Sequence, residues 1–186
     1  MHRLPDRIGT GEIQLRRASP ADSATLFALF NNWNVVKWLA RPNWPVSFME
    51  TVEFIEAANR GPESAQYWAI ERNGVVLGAI SGSIEPAGSR QSAPGPHIGY
   101  WLGEPFWGQG VMTRAASLFC AAIFEHTGAN TIYSGVFEGN EGSLRIQQKL
   151  GFVALGGVPQ FCTPRNAELA HINTLLQRPD FRPVAG

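Results

Sequence analysis

Asn73-Gly74 joins two alternating apolar runs in "QYWAIERNGVVLGAISGSIEP", and this dipeptide accepts the positive φ angles of a type I′ turn. Two strands must therefore follow one another antiparallel, which excludes a doubly wound sheet of the dinucleotide-binding order. Around this hairpin the remaining elements alternate. Glu12 to Ala18 reads as a first strand; Ser19 as N-cap, Pro20 at the first helical position and apolar Leu26, Phe27 and Phe30 then give a helix. Pro42 and Pro45 break an aromatic-rich linker, Ser47 caps a second helix with Glu50 three residues on, and Gly61 ends it.

Beyond the hairpin, a Pro/Gly/Ser loop from Ala87 to Pro96 leads to a short strand in "HIGYWLG" and a helix from about Met112 to His126. A strand in "ANTIYSGVFEGN", a short helix in "EGSLRIQQKLGF" running into "FVALGGV", and a last strand in "AELAHINTLLQ" complete the order, with a polar tail from Arg178. This is an α+β, or mixed α/β, arrangement. At 186 residues and 44% hydrophobic content the chain fits one core and is short for two. The expectation is a single domain over 1–186, with its core about 12–177 and a flexible arm and tail at either end.

Charge narrows the partners. Fifteen basic and fifteen acidic side chains cancel, so no global field draws the chain to nucleic acid or to an anionic membrane. Any anion site must be local. Cys120 and Cys162 are too few for a disulfide scaffold and lack the CxxC spacing of zinc sites, so a reducing, cytoplasmic setting and no metal are expected. "MHRLPDRIGTGEI" lacks an apolar leader core, and no window reaches membrane-spanning length.

The stretch "EPFWGQGVMTRAA" places Gly108 and Gly110 between a strand and the helix from Met112. Helix N-termini expose free amides and partial positive charge, and glycines let a phosphate approach them closely. A tight turn is the plainer reading of a GxG alone. The full phosphate loop ending in Gly-Lys-Ser/Thr is absent, as is GxGxxG with an acid about twenty residues on. A loop that holds a diphosphate by backbone alone remains.

"HIGYWLGEPFWGQGVMTRAA" resembles the acetyl-CoA-binding motif of the GNAT N-acetyltransferase superfamily, and "NEGSLRIQQKLGF" (Asn140 to Phe152) resembles its second signature. The two stand in the family's order, one helix and one strand apart. The Rim-type branch of ribosomal-protein N-terminal acetyltransferases shares the Gly-Tyr-Trp strand and the Trp-Gly-x-Gly loop, and the resemblance covers roughly Ile13 to Gln177. It implies a central, mostly antiparallel, splayed sheet of about seven strands flanked by about four helices.

The resemblance also implies site residues. Amides of Gln109, Gly110, Val111, Met112 and Thr113, in the loop that starts at Trp107 and Gly108, would hold the pyrophosphate of coenzyme A. Tyr100, Trp101 and Leu102 would pair with pantetheine like an added strand, and an amide near Leu102 would polarise the acetyl carbonyl. Met112 departs from the family's usual Gly or Ala. Asn140 would bond pantetheine, Ser143 would act as acid or water-holder near the sulfur when it is not simply a helix cap, and Arg145 and Lys149 would reach the 3′-phosphate.

The amine must lose a proton before it attacks. His97, at the start of the cofactor-lining strand, is the candidate base, with His171, Glu53 and Glu104 as weaker ones; His126 reads as a helix C-terminal charge partner. For the acceptor, Trp33, Trp38, Trp44 and Phe48 with Lys37 and Arg41 offer an aromatic groove with few acids, suited to a peptide N-terminus or a partly apolar amine. Cys162 borders that groove as an inert thiol. Three functions stay open: N-acetyltransfer to a protein α-amine, which is favoured, transfer to a small metabolite or xenobiotic amine, and acyl-CoA binding without turnover. An apolar last strand, "INTLL", offers an edge for a homodimer.

Overall fold

The computed structural model describes residues 4–59, 66–83 and 95–184. The α-helices and strands are β1 (Arg7–Ile8), β2 (Ile13–Arg17), α1 (Ser23–Phe30), α2 (Trp33–Val36), α3 (Phe48–Asn59), β3 (Gln66–Arg72), β4 (Val75–Ser83), β5 (His97–Leu102), α4 (Val111–Thr127), β6 (Thr131–Phe137), α5 (Glu141–Leu150), β7 (Val153–Gly157), β8 (Gln160–Cys162), β9 (Ala167–Leu169) and β10 (His171–Gln177). Eight strands form one sheet in the order β1-β2-β3-β4-β5-β6-β10-β7, and β8 and β9 form a separate hairpin. Among the described residues, only β5 and β6 of the large sheet run parallel.

The hairpin expected at Asn73-Gly74 is present, with φ of 51° and 80° at the two residues and Arg72 opposite Val75. Strand alternation then sorts the core into two layers. On one face Trp68, Ile70, Ile80, Ile98 and Leu102 pack with Ala115, Phe119 and Ile123 of α4. On the other, Tyr67, Ala69, Ala79 and Trp101 meet Leu26 of α1 and Ile55 of α3. Ser19 and Asp22 form a capping box with Pro20 in the first turn. At α3, the Ser47 N–H donates to Glu50 Oε2 at 3.3 Å; Gly61 lies outside the described residues, as does the loop from Ala87 up to Pro94.

The sheet's eight strands agree with the about seven expected, and α2 adds a helical turn. Other expectations are corrected. The N-terminal arm is packed: β1 pairs with β2, and Leu4 is 1% exposed. So is the tail, where Phe181 stacks near Phe124 at 5.6 Å and the Val184 N–H donates to Ser117 Oγ at 2.9 Å. The last strand breaks at Ala170: Ala167–Leu169 belongs to the small hairpin. The remainder, β10, lies inside the sheet between β6 and β7. It is no edge, so it cannot pair across a dimer as expected.

Candidate active site

β5 and β6 pair at a single register point, His97 with Tyr133, fixed by the Tyr133 N–H donating to Pro96 O at 2.8 Å. Further along, the Ser134 hydroxyl donates to Ile98 O at 3.0 Å, so a side chain occupies the place of the next ladder bond and the strands diverge into a slot. Gly103 N–H donates to Leu77 O on the β4 side, while Ile98 O faces β6. By the two-residue period, Tyr100 and Leu102 turn their backbone groups into the slot, and Trp101 turns its own to β4. Trp101 instead anchors the second core layer, its indole N–H donating to Tyr67 Oη at 2.9 Å.

The slot runs to the N-terminus of α4. Gly108 and Gly110 hold φ of 73° and 75°, left-handed angles that favour glycine, and a Cβ at either would meet nothing within 4 Å. Among the described residues, the backbone N–H groups from Gln109 to Thr113 have no acceptor. The side chains around them are committed elsewhere. Trp107 Nε1 donates to Leu102 O at 2.7 Å, stapling the turn to the strand end. Gln109 donates to Pro105 O at 3.0 Å and accepts from Arg72 at 2.8 Å. Met112 is 6% exposed within the core, so its bulk points away from the cradle. Open space, glycine geometry and five free amides make this a fit for a diphosphate.

Beside the slot, Ser143 Oγ donates to Tyr100 Oη at 3.0 Å. Burial pushes the Tyr100 hydroxyl up to about 12, against the opposing bonds from Ser143 and Gln147, so it stays protonated at neutral pH. Behind it runs a buried polar chain. Gln147 Nε2 donates to Ser134 Oγ at 3.0 Å, and Thr174 Oγ1 donates to Gln147 Oε1 at 2.7 Å. Sequence reasoning missed the Tyr100 hydroxyl, Ser134, Gln147 and Thr174. One signal was available: Gln147 sits one turn before Leu150 on the buried stripe of α5.

Asn140 caps α5, accepting the Ser143 N–H at 3.3 Å. Ser143 thus sits in the first turn with its hydroxyl turned to Tyr100. Arg145 and Lys149 are exposed on the same helix, and exposed His126 lies in the last turn of α4.

His97, at the closed end of the slot, and His171, further along β6, share one face of the sheet. His97 opposes Tyr133, and the His171 ring lies where a Gly135 side chain would stand, two residues along β6. His97 keeps a solvent-exposed surface, yet protein packed around the ring, with Arg41 and His171 near, holds it below its ordinary value. His171 is lowered by burial, a hydrogen bond with Asn173 working against this. Glu104 is occupied, accepting from Asn32 Nδ2 at 2.7 Å and Asn34 Nδ2 at 3.0 Å. Glu53 is exposed on α3. Cys162 is buried, its thiol donating to Leu39 O at 3.5 Å.

This arrangement has close parallels. The chain matches the acetyltransferase (GNAT) domain family over residues 12–153. YdaF of Bacillus subtilis (strain 168), named provisionally as a ribosomal N-acetyltransferase, is 28% identical over 149 residues, 77% of this chain and 79% of that one. Among solved structures, RimJ from Mycobacterium smegmatis in complex with CoA-disulfide superposes with a TM-score of 0.77 at 18% identity, covering 94% of this chain and 88% of that one. The ribosomal-protein-S5-alanine acetyltransferase from Vibrio fischeri does so with a TM-score of 0.72 at 22% identity, covering 95% and 99%. Because the family match takes in β5, the glycine cradle, α4 and α5 together, the chain belongs to the GNAT acetyltransferase family.

Proposed function

We propose that this GNAT enzyme uses acetyl-CoA to acetylate a primary amine by direct attack, its preferred acceptor being a protein N-terminal α-amine. The observation that carries the reading is the continuity of the free amides at Gln109 to Thr113 with the β5–β6 slot. The cradle suits the pyrophosphate, and Tyr100 and Leu102 offer slot-facing backbone groups to pantetheine. Bound there, acetyl-CoA supplies an activated thioester carbonyl.

The chain's own residues do the rest. With Leu102 given to pantetheine, the slot-facing Tyr100 N–H, one step further from the cradle, stabilises negative charge developing on a carbonyl oxygen. His97, kept neutral at pH 7, takes the proton that an ammonium must lose. Tyr100, protonated and donating to Ser143 O at 3.4 Å, turns that proton to a departing thiolate. The names of YdaF and of the Vibrio fischeri enzyme support a ribosomal-protein acceptor.

Isothermal titration with acetyl-CoA, followed by thiol release across a panel of peptides and small amines, tests this. Micromolar binding with peptide-dependent thiol release is expected. Release with small amines alone would replace the acceptor, and binding with no release from any acceptor would overturn the transferase reading.

A further inference from the structure

In a chain whose net charge is zero, three cations, Lys37, Arg41 and Arg165, stand on elements that adjoin the two imidazoles. Trp38, just after α2, lies against the turn between β6 and α5, where a side chain at Gly139 would meet its ring at 3.6 Å. Two cations stand over that ring, Arg165 at 4.5 Å and Lys37 at 5.4 Å from its centre. Arg165 comes from the β8–β9 turn, which is docked by the Thr163 N–H donating to Ala40 O at 2.9 Å.

The next residue, Arg41, is close enough for its charge to act on His97. His171 follows Ala170, whose carbonyl accepts the Glu138 N–H at 2.9 Å from the same β6–α5 turn. The cations and the two imidazoles therefore lie on neighbouring elements. Among the described residues no carboxylate forms an ion pair with Lys37, Arg41 or Arg165. Glu138, Glu141 and Glu168, on the adjoining turn, helix and hairpin, are exposed.

Stacking on Trp38 restricts the Arg165 guanidinium in advance, and a restricted planar fork suits a carboxylate. A cationic side chain brought against Lys37, Arg41 or Arg165 itself would meet like charge, the exposed carboxylates of Glu138, Glu141 and Glu168 standing on the adjoining elements.

We propose that Lys37, Arg41 and Arg165 select polypeptide acceptors that carry acidic side chains directly after the N-terminal residue, the carboxylates engaging this rim while the α-amine reaches His97. The inference rests on the acetyltransferase reading above and adds the sequence class of its acceptor.

Three peptides sharing an N-terminal serine, followed by two glutamates, two glutamines or two lysines, test it by acetyl-CoA-dependent thiol release. kcat/KM is expected to fall in that order, spanning about tenfold or more between the ends. The spread should lie mainly in KM and narrow in high salt. Arg41→Glu with Arg165→Glu should invert the order, and titration with acetyl-CoA reports whether the doubly substituted chain is folded; Arg165→Gln, a milder change, should compress the spread. Equal rates for the three peptides, or a preference for lysine, would overturn the proposal. Acetylation of O-phosphoethanolamine with no peptide turned over would overturn it too, since the rim would then serve a small anion. Failure to bind acetyl-CoA or release thiol with any acceptor would instead remove the underlying transferase reading.

Discussion

Protonating His97 would place charge in partly desolvated surroundings beside Arg41, so the imidazole stays neutral below its ordinary value of about 6.5. As a base it should therefore hold the kcat plateau down through that pH, with the acidic limb beginning only further down. His97→Gln should abolish that limb and lower kcat about 100-fold while acetyl-CoA still binds. A variant keeping the parental pH–rate profile would exclude His97 as the base. Stability carries the same sign: the unfolded chain takes the proton first, so the contribution is complete above about 6.5 and declines as pH falls toward the folded value. Tyr100 makes the complementary case. Tyr100→Phe keeps the ring and removes the donor, so kcat should fall by about tenfold to a hundredfold, with KM for acetyl-CoA little changed; an unaltered kcat would leave thiolate protonation to another group.

Elements dock through a few such side chains. Arg16 of β2 donates from both terminal nitrogens to Asp22 at 2.7 Å and from Nε to Glu71 of β3 at 2.7 Å, tying the start of α1 to the sheet. Burial raises the Asp22 carboxyl, but the Arg16 bonds and the Ser19 amide outweigh it and hold the group below the usual carboxylate range. Its stabilisation is present above the unfolded value of about 3.9 and is lost as pH falls through the folded one. Asp22→Asn should cost about 3 kcal/mol near neutral pH and flatten the acid side of the urea-midpoint profile. Gly110→Ala meets no atom but must adopt a left-handed φ, a strain of about 1–2 kcal/mol; both the thermal midpoint and acetyl-CoA affinity should drop. The local parts of this picture were legible. Asn73-Gly74 named its turn, and Gly108 and Gly110 named the cradle, because each signal lies within a few residues. The break at Ala170 had a local sign too, the "TPRN" turn with Asn166 at φ 48°, yet "AELAHINTLLQ" holds no glycine or proline to divide it. The Arg16 triad, the direction of Met112 and the nearness of His97 to His171 depend on register between distant strands, which composition and periodicity leave open.

At the scale of the molecule, the proposed function depends on a sheet that stays open where sheets normally close. One register point joins β5 to β6, and from there the polar chain of Ser134, Gln147 and Thr174 spans β5, β6, α5 and β10. Each of these side chains is at most 5% exposed, so every donor and acceptor must find its partner within the protein. Gln147 supplies both, an amide N–H to Ser134 and an oxygen to Thr174, and thereby ties α5 to β6 and β10. Gln147→Leu preserves approximate volume while leaving the Thr174 hydroxyl without its acceptor, Ser134 keeping its bond to Ile98 O. Such an orphaned group costs about 1–3 kcal/mol, so the denaturation midpoint should fall accordingly. The slot should also lose its set width, weakening acetyl-CoA binding in titration while the cradle glycines remain intact. A Gln147→Leu chain that unfolds more easily but binds acetyl-CoA at parental affinity would assign the polar chain to stability alone, with the splay then maintained by the α4 and α5 packing beneath it.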